Sequence, residues 1–138
     1  RVSVCWILPS RANPREIAGY YTLAGYSVSP GELPPNVAKK LPRYSQIPAA
    51  MLGRLAIAEK YKGQGLGEHL LLDAMKRSLD QSRVMGLFAL FVDAKDDNAA
   101  DFYRRYEFIP LPTHPLRLFL PMKTIADLFP EPVNPGSW

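Results

Sequence analysis

Cysteine is almost missing from this chain. Cys5 is the sole one in 138 residues, so no disulfide can form within it. That excludes the disulfide-stapled secreted scaffolds and suits a reducing compartment, so a cytoplasmic location is the expectation. Histidine is equally sparse, and His69 and His114 are too isolated in the sequence to begin a metal site, so no metal is expected. No apolar run approaches the roughly 20 residues of a membrane-spanning helix, and no membrane association is expected. No signal peptide is visible, although the chain opens on Arg1 without a methionine, which points to a trimmed start. Charge of neither sign dominates. Lys+Arg 17 against Asp+Glu 13 gives a formal net charge of +4, compatible with an anionic ligand or RNA and compelling neither.

What is present is enough for one core. With 47% hydrophobic and 22% charged residues the composition is that of a folded protein, and the length is that of a single domain, 1–138. Residues 2–8 are β-branched and aromatic and read as a strand. Residues 9–15 form a turn, and 16–28 a second strand antiparallel to the first. Pro30, Pro34, Pro35, Pro42 and Pro48 break up the next stretch, leaving a short helix over 36–41. Lys39, Lys40 and Arg43 make it the most basic loop. Residues 50–58 are apolar except for Arg54 and read as a central strand.

Leu66, Leu70 and Ala74, then Leu72, Met75 and Leu79, recur at helical spacing, which predicts an amphipathic helix over 66–83. Gly86 closes the connection, and 87–92 is a continuous apolar strand of the kind covered on both faces. Asp96 or Asp97 caps a short helix reaching Tyr106. The last clear strand is 116–120, and 126–138 is a loose proline-rich tail. The strand–helix–strand over 50–92 is long enough for a parallel crossover. The fold class is therefore α+β: a mixed, mostly antiparallel sheet with one central parallel β-α-β and flanking helices.

The glycines of Tyr61-Lys62-Gly63-Gln64-Gly65-Leu66-Gly67 stand between the central strand and the long helix. Glycine lets a backbone turn tightly and approach a ligand, and free N–H groups at a helix start favour an anion such as pyrophosphate. The nucleotide P-loop is excluded, because Glu68 follows Gly67 where Lys-Ser/Thr is needed. The dinucleotide fingerprint is excluded by spacing. A bare structural turn is the alternative.

This loop resembles the Arg/Gln-x-x-Gly-x-Gly/Ala loop of the GNAT acetyltransferases, with Lys62 at the first position. The resemblance implies the GNAT acyl-CoA N-acyltransferase fold and acetyl-CoA as co-substrate. It implies that Lys62, Gly63, Gln64, Gly65, Leu66 and Gly67 hold the pyrophosphate. It also implies that Leu55, Ala56 and Ile57 pair with the pantetheine arm as an added strand does. A second stretch, 96–108, is similar to the family's Asn-x-x-Ala-x-x-Phe-Tyr-x-x-x-Gly-Phe helix. Ala99, Phe102, Tyr103 and Phe108 match, Asp96 stands in the Asn position, and Glu107 replaces the closing Gly. By that resemblance Asp96, Ala99 and Phe102 contact the donor, and Tyr103 lies beside the thioester sulfur. A phenol of pKa about 10 can protonate a departing thiolate whose conjugate thiol has pKa about 8.5. The alternative for Tyr103 is a core aromatic. No general base stands out among Glu59, Glu68 and Asp93.

The ordered series of 19–24, 52–57, 61–67, 100–103 and 112–116 resembles toxins of the TacT and AtaT class. That implies transfer to the α-amine of aminoacyl-tRNA, a ribbon-helix-helix antitoxin as partner, a homodimer, and a strand and helices upstream of Val2. Arg54 either meets the tRNA acceptor, with Lys39, Lys40 and Arg43 adding phosphate contacts, or forms an internal salt bridge with Asp93 or Glu59. Two other readings stay open: acetylation of a small amine or protein N-terminus, and a non-catalytic CoA- or antitoxin-binding module.

Overall fold

The computed structural model describes residues 3–43 and 45–130. Its frame is a six-stranded sheet in the order β1-β2-β3-β4-β6-β5. The strands are β1 (Ser3–Pro9), β2 (Ile17–Val28), β3 (Ile47–Ile57), β4 (Ala89–Asp93), β5 (Ile109–Leu111) and β6 (His114–Pro121). Every neighbouring pair is antiparallel except β3 with β4, which are joined by helix α2 (Leu66–Met85). The mixed sheet with its single parallel crossover is the one expected from the sequence.

The long helix ends where the sequence places its end. Gly86 takes the left-handed conformation (φ 66°), and its N–H caps the Ser82 carbonyl. The buried face of α2 carries Leu70, Leu71, Ala74, Met75 and Leu79. This face meets Tyr21, Leu52, Leu90, Val92, Leu118 and Leu120 from one side of the sheet. The opposite side buries Val28, Ile47, Ala49, Met51, Phe91 and Phe119 beneath the proline-broken excursion, which lays Leu33, Val37 and Leu41 on it. Helix α1 there is only Pro35–Ala38, opening on a proline in its first turn.

Two elements escape the sequence reading. Strand β5 is three residues long, with Pro110 inside it and Pro112 just after it, and such a run carries no periodicity. Helix α4 (Met122–Leu128) buries Ile125 completely and claims 126–128 from the expected tail. The remainder of that tail, 131–138, lies outside the described residues, as do Val2 of the first predicted strand and Tyr44. Among the described residues no helix is long and apolar enough to cross a membrane.

Candidate active site

The site begins with a parting of strands. β3 pairs with β4 at Ala50–Leu90, Met51–Phe91 and Leu52–Val92, and there the ladder stops. Beyond it β3 continues to Ile57 beside β2 alone, with Gly19 opposite Ile57 and Tyr21 opposite Leu55. Arg54 N–H turns to β2, donating to Thr22 Oγ1 at 3.1 Å, and Ala58 N–H donates to Ala18 C=O at 2.8 Å. Strand alternation then turns the main-chain groups of Leu55 and Ile57 to the other edge, where no strand of the sheet meets them. Ala56 turns its main chain inward, so of the three expected pantetheine residues only Leu55 and Ile57 offer an open ladder.

That edge opens into a cleft of about 280 Å³ lined by Leu55, Ala56, Ile57, Tyr61, Lys62, Gly63, Gly65, Leu66, Gly67 and Lys95. Gly63 and Gly65 hold φ of 81° and 78°, a conformation that costs other residues about 1–2 kcal/mol. Gly65 is the N-cap of α2, whose first intrahelical bond is His69 N–H to Gly65 C=O at 3.2 Å. The N–H groups of Leu66, Gly67 and Glu68 precede it and are free for an anion. Lys62 contributes a cation held by Glu59 at 2.8 Å, and the pair keeps the Glu59 carboxyl below its usual range. Gln64 does not line this cleft. It faces a neighbouring hollow with Arg11 and His69.

Helix α3 (Asp97–Arg104) docks against the same helix start. Phe102 lies 3.7 Å from the point where a side chain on Gly67 would begin. Asp96 caps α3, its carboxylate accepting from Ala99 N–H at 2.8 Å, so this carboxylate organises the helix. Ala99 is half-buried beside the core. Tyr103 is 7% exposed and packs edge-on to Phe102 and Phe108. It shares one buried cluster with Leu55 and Ile57. Burial alone pushes its phenol up to about 12. The hydroxyl therefore keeps its proton at neutral pH and can act as a donor, not as a base.

The chain leaves α3 by a Schellman-type turn, with Phe108 N–H to Tyr103 C=O at 3.3 Å and Glu107 N–H to Arg104 C=O at 3.0 Å. Glu107 occupies the left-handed position (φ 72°) where glycine is favoured, so the turn survives the substitution noted in the sequence. The turn also folds Phe108 onto the Tyr103 ring, 5.6 Å between centroids.

The alternative for Arg54, a salt bridge with Asp93 or Glu59, does not form. Asp93 is held by Arg117 through two contacts of 2.6 and 3.0 Å, and Glu59 is held by Lys62. Arg54 is exposed and lines a hollow of about 260 Å³ with Ser3, Thr22, Ala24, Met51 and Gly53. Lys39, Lys40 and Arg43 are exposed on the excursion, outside the glycine-loop cleft. Lys95 and the Asp93–Arg117 pair, which also reaches Tyr26 hydroxyl at 3.0 Å, were not legible in the sequence. Lys95 lies far from the loop along the chain, and Arg117 lies 24 residues from its partner. Among the described residues no group of three or more His, Cys, Asp or Glu is placed to hold a metal ion.

An open strand edge, a glycine loop at a helix start and a buried tyrosine define a family. Residues 10–110 match the acetyltransferase (GNAT) domain model, and the chain belongs to that family. Among its relatives is a tRNA-acetylating toxin of Mycobacterium tuberculosis H37Rv, 40% identical over 112 residues, 81% of this chain. The chain spans 66% of that relative's length. Among solved structures, AtaT complexed with acetyl-methionyl-tRNAfMet superposes with a TM-score of 0.82 at 38% identity, covering 91% of this chain and 74% of that one. A Tyr-to-Phe mutant of AtaT bound to acetyl-CoA and the C-terminus of its antitoxin AtaR gives 0.75 at 34% identity, covering 92% and 72%.

Proposed function

We propose that this chain is a toxin-type N-acetyltransferase that moves the acetyl group of acetyl-CoA to the α-amine of aminoacyl-tRNA and so blocks translation. The observation that carries the reading is the open β3 edge at Leu55 and Ile57, continuous with the glycine loop of α2. Pyrophosphate fits the free N–H groups of the loop between Lys62 and Lys95. The pantetheine amides complete the β3 ladder as a second neighbouring strand would. The amine attacks the thioester carbonyl, and the resulting oxyanion accepts a hydrogen bond from a β3 N–H facing the gap. The C–S bond breaks, and the CoA thiolate takes the Tyr103 proton.

Glu59 and Asp93 are each engaged by a cation, and Glu68 sits against Tyr106, so none is free as a dedicated base. An α-amine of pKa about 7.7–8.0 needs none, because a useful fraction is neutral at pH 7 and water removes the second proton. Arg54, exposed and unpaired with any described carboxylate, faces the acceptor, with Lys39, Lys40 and Arg43 as phosphate contacts. The tRNA-bound and antitoxin-bound structures of AtaT support a tRNA acceptor and an antitoxin partner, and the sequence resemblance makes that partner a ribbon-helix-helix protein. A homodimer working in the cytoplasm completes the reading. Mass spectrometry of charged tRNAs after incubation with isotope-labelled acetyl-CoA tests it. Acetyl-aminoacyl-tRNA is the expected product. Turnover on small amines or peptides with charged tRNA untouched would overturn it.

A further inference from the structure

β3 changes phase in its middle. In its first half Ala50 and Leu52 face the α2 cluster, and in its second half Leu55 and Ile57 do. Leu52 and Leu55 are three residues apart, a spacing that an unbroken strand places on opposite faces. The main chain switches with them. Pro48 C=O accepts from Phe88 N–H at 2.9 Å on the β4 side, whereas Arg54 N–H turns to β2. The break is a bulge: Thr22 pairs with Arg54 and Leu23 with Leu52, leaving Gly53 without a partner.

Thr22 holds this bulge from both sides. Its hydroxyl accepts Arg54 N–H, and the same oxygen lies 2.8 Å from the point where a Gly53 side chain would begin. Gly53 has no left-handed φ, so what favours glycine there is space: a Cβ would force the Thr22 hydroxyl to move. We infer that Thr22 is the positioning residue of the active site. By capping the bulge it keeps β3 in the phase that sends Leu55 N–H into the gap and Arg54 to the acceptor face. The inference rests on the acyltransferase reading above and adds to it the residue that sets its main-chain geometry.

The test uses acetyl transfer to bulk aminoacyl-tRNA, CoA binding, and amide hydrogen exchange on the full chain. Thr22→Val, which keeps shape and loses the acceptor, is expected to expose the Arg54 amide to exchange. It is also expected to lower kcat about tenfold or more through misplacement of the reacting groups. CoA affinity should fall less than kcat, since the loop that grips the anion is untouched and only the pantetheine pairing at Leu55 and Ile57 loosens. Thr22→Ser should restore both readouts. Gly53→Ala should destabilise the fold, and adding Thr22→Ala should recover stability by removing the clash without recovering kcat. If Thr22→Val does not fold, Thr22→Ala carries the same comparison. A variant that frees the Arg54 amide yet keeps kcat within twofold overturns the inference, as does recovery of kcat in the double variant. An inactive wild type overturns the acyltransferase reading and this inference with it.

Discussion

The two halves of β3 differ in what holds them. Upstream, Ala50–Leu52 is flanked by strands on both edges and buried on both faces, with Leu52 1% exposed. Downstream, from Gly53 on, the strand keeps one neighbour and gives its other edge to a cleft. The first half is scaffold, where side chains decide. In the proposed function the second is a ligand surface, where main-chain N–H and C=O groups and their phase decide. A substitution should therefore read out as lost stability in one half and as lost function in the other.

Tyr103→Phe gives the sharpest separation. Removing a proton donor to the leaving thiolate should lower kcat by about 10²-fold or more while the fold stays intact. Burial raises this phenol's pKa to about 12, so the donor stays protonated through alkaline pH. Tyr103 should therefore not produce a falling limb in kcat near pH 10. Steady-state kinetics across pH checks both points.

Leu52→Ala should cost about 2–5 kcal/mol in denaturant unfolding, and Leu55→Ala, half-buried at the cleft, distinctly less. Equal losses would erase the distinction between the halves. Gly65→Ala forces a side chain into φ 78° at the N-cap of α2. The free loop gains about 1–2 kcal/mol by relaxing out of that conformation, and restoring it on binding should weaken acetyl-CoA affinity by about tenfold, measured by calorimetry. Arg54→Ala should leave unfolding unchanged and weaken charged-tRNA binding severalfold, with a salt slope shallower by roughly 0.7–0.9. Glu107→Gly makes the smallest change, stabilising the chain by about 1 kcal/mol through relief of its left-handed backbone.

Much of this was legible in the residues. The apolar spacing of α2, Gly86 as its stop, Asp96 as a cap and the glycine loop are local patterns, and local patterns survive in a sequence. The bulge was not legible. Gly53 within Met51-Leu52-Gly53-Arg54 looks like one small residue in an apolar strand, and its meaning lies in Thr22, which reaches it only across the sheet. Lys95 and the Arg117–Asp93 pair were hidden for the same reason. Helix α4 was masked by the prolines that follow it. The salt bridge that was the alternative for Arg54 does not form, because Arg117 and Lys62 already hold the two carboxylates.

The open edge of β3 carries the account, and amide hydrogen exchange with and without acetyl-CoA tests it directly. The account predicts that Leu55 and Ile57 amides become protected on binding, together with those of Leu66 and Gly67, while Leu52 stays protected throughout. Acetyl-CoA binding that leaves Leu55 and Ile57 exchanging freely would contradict it.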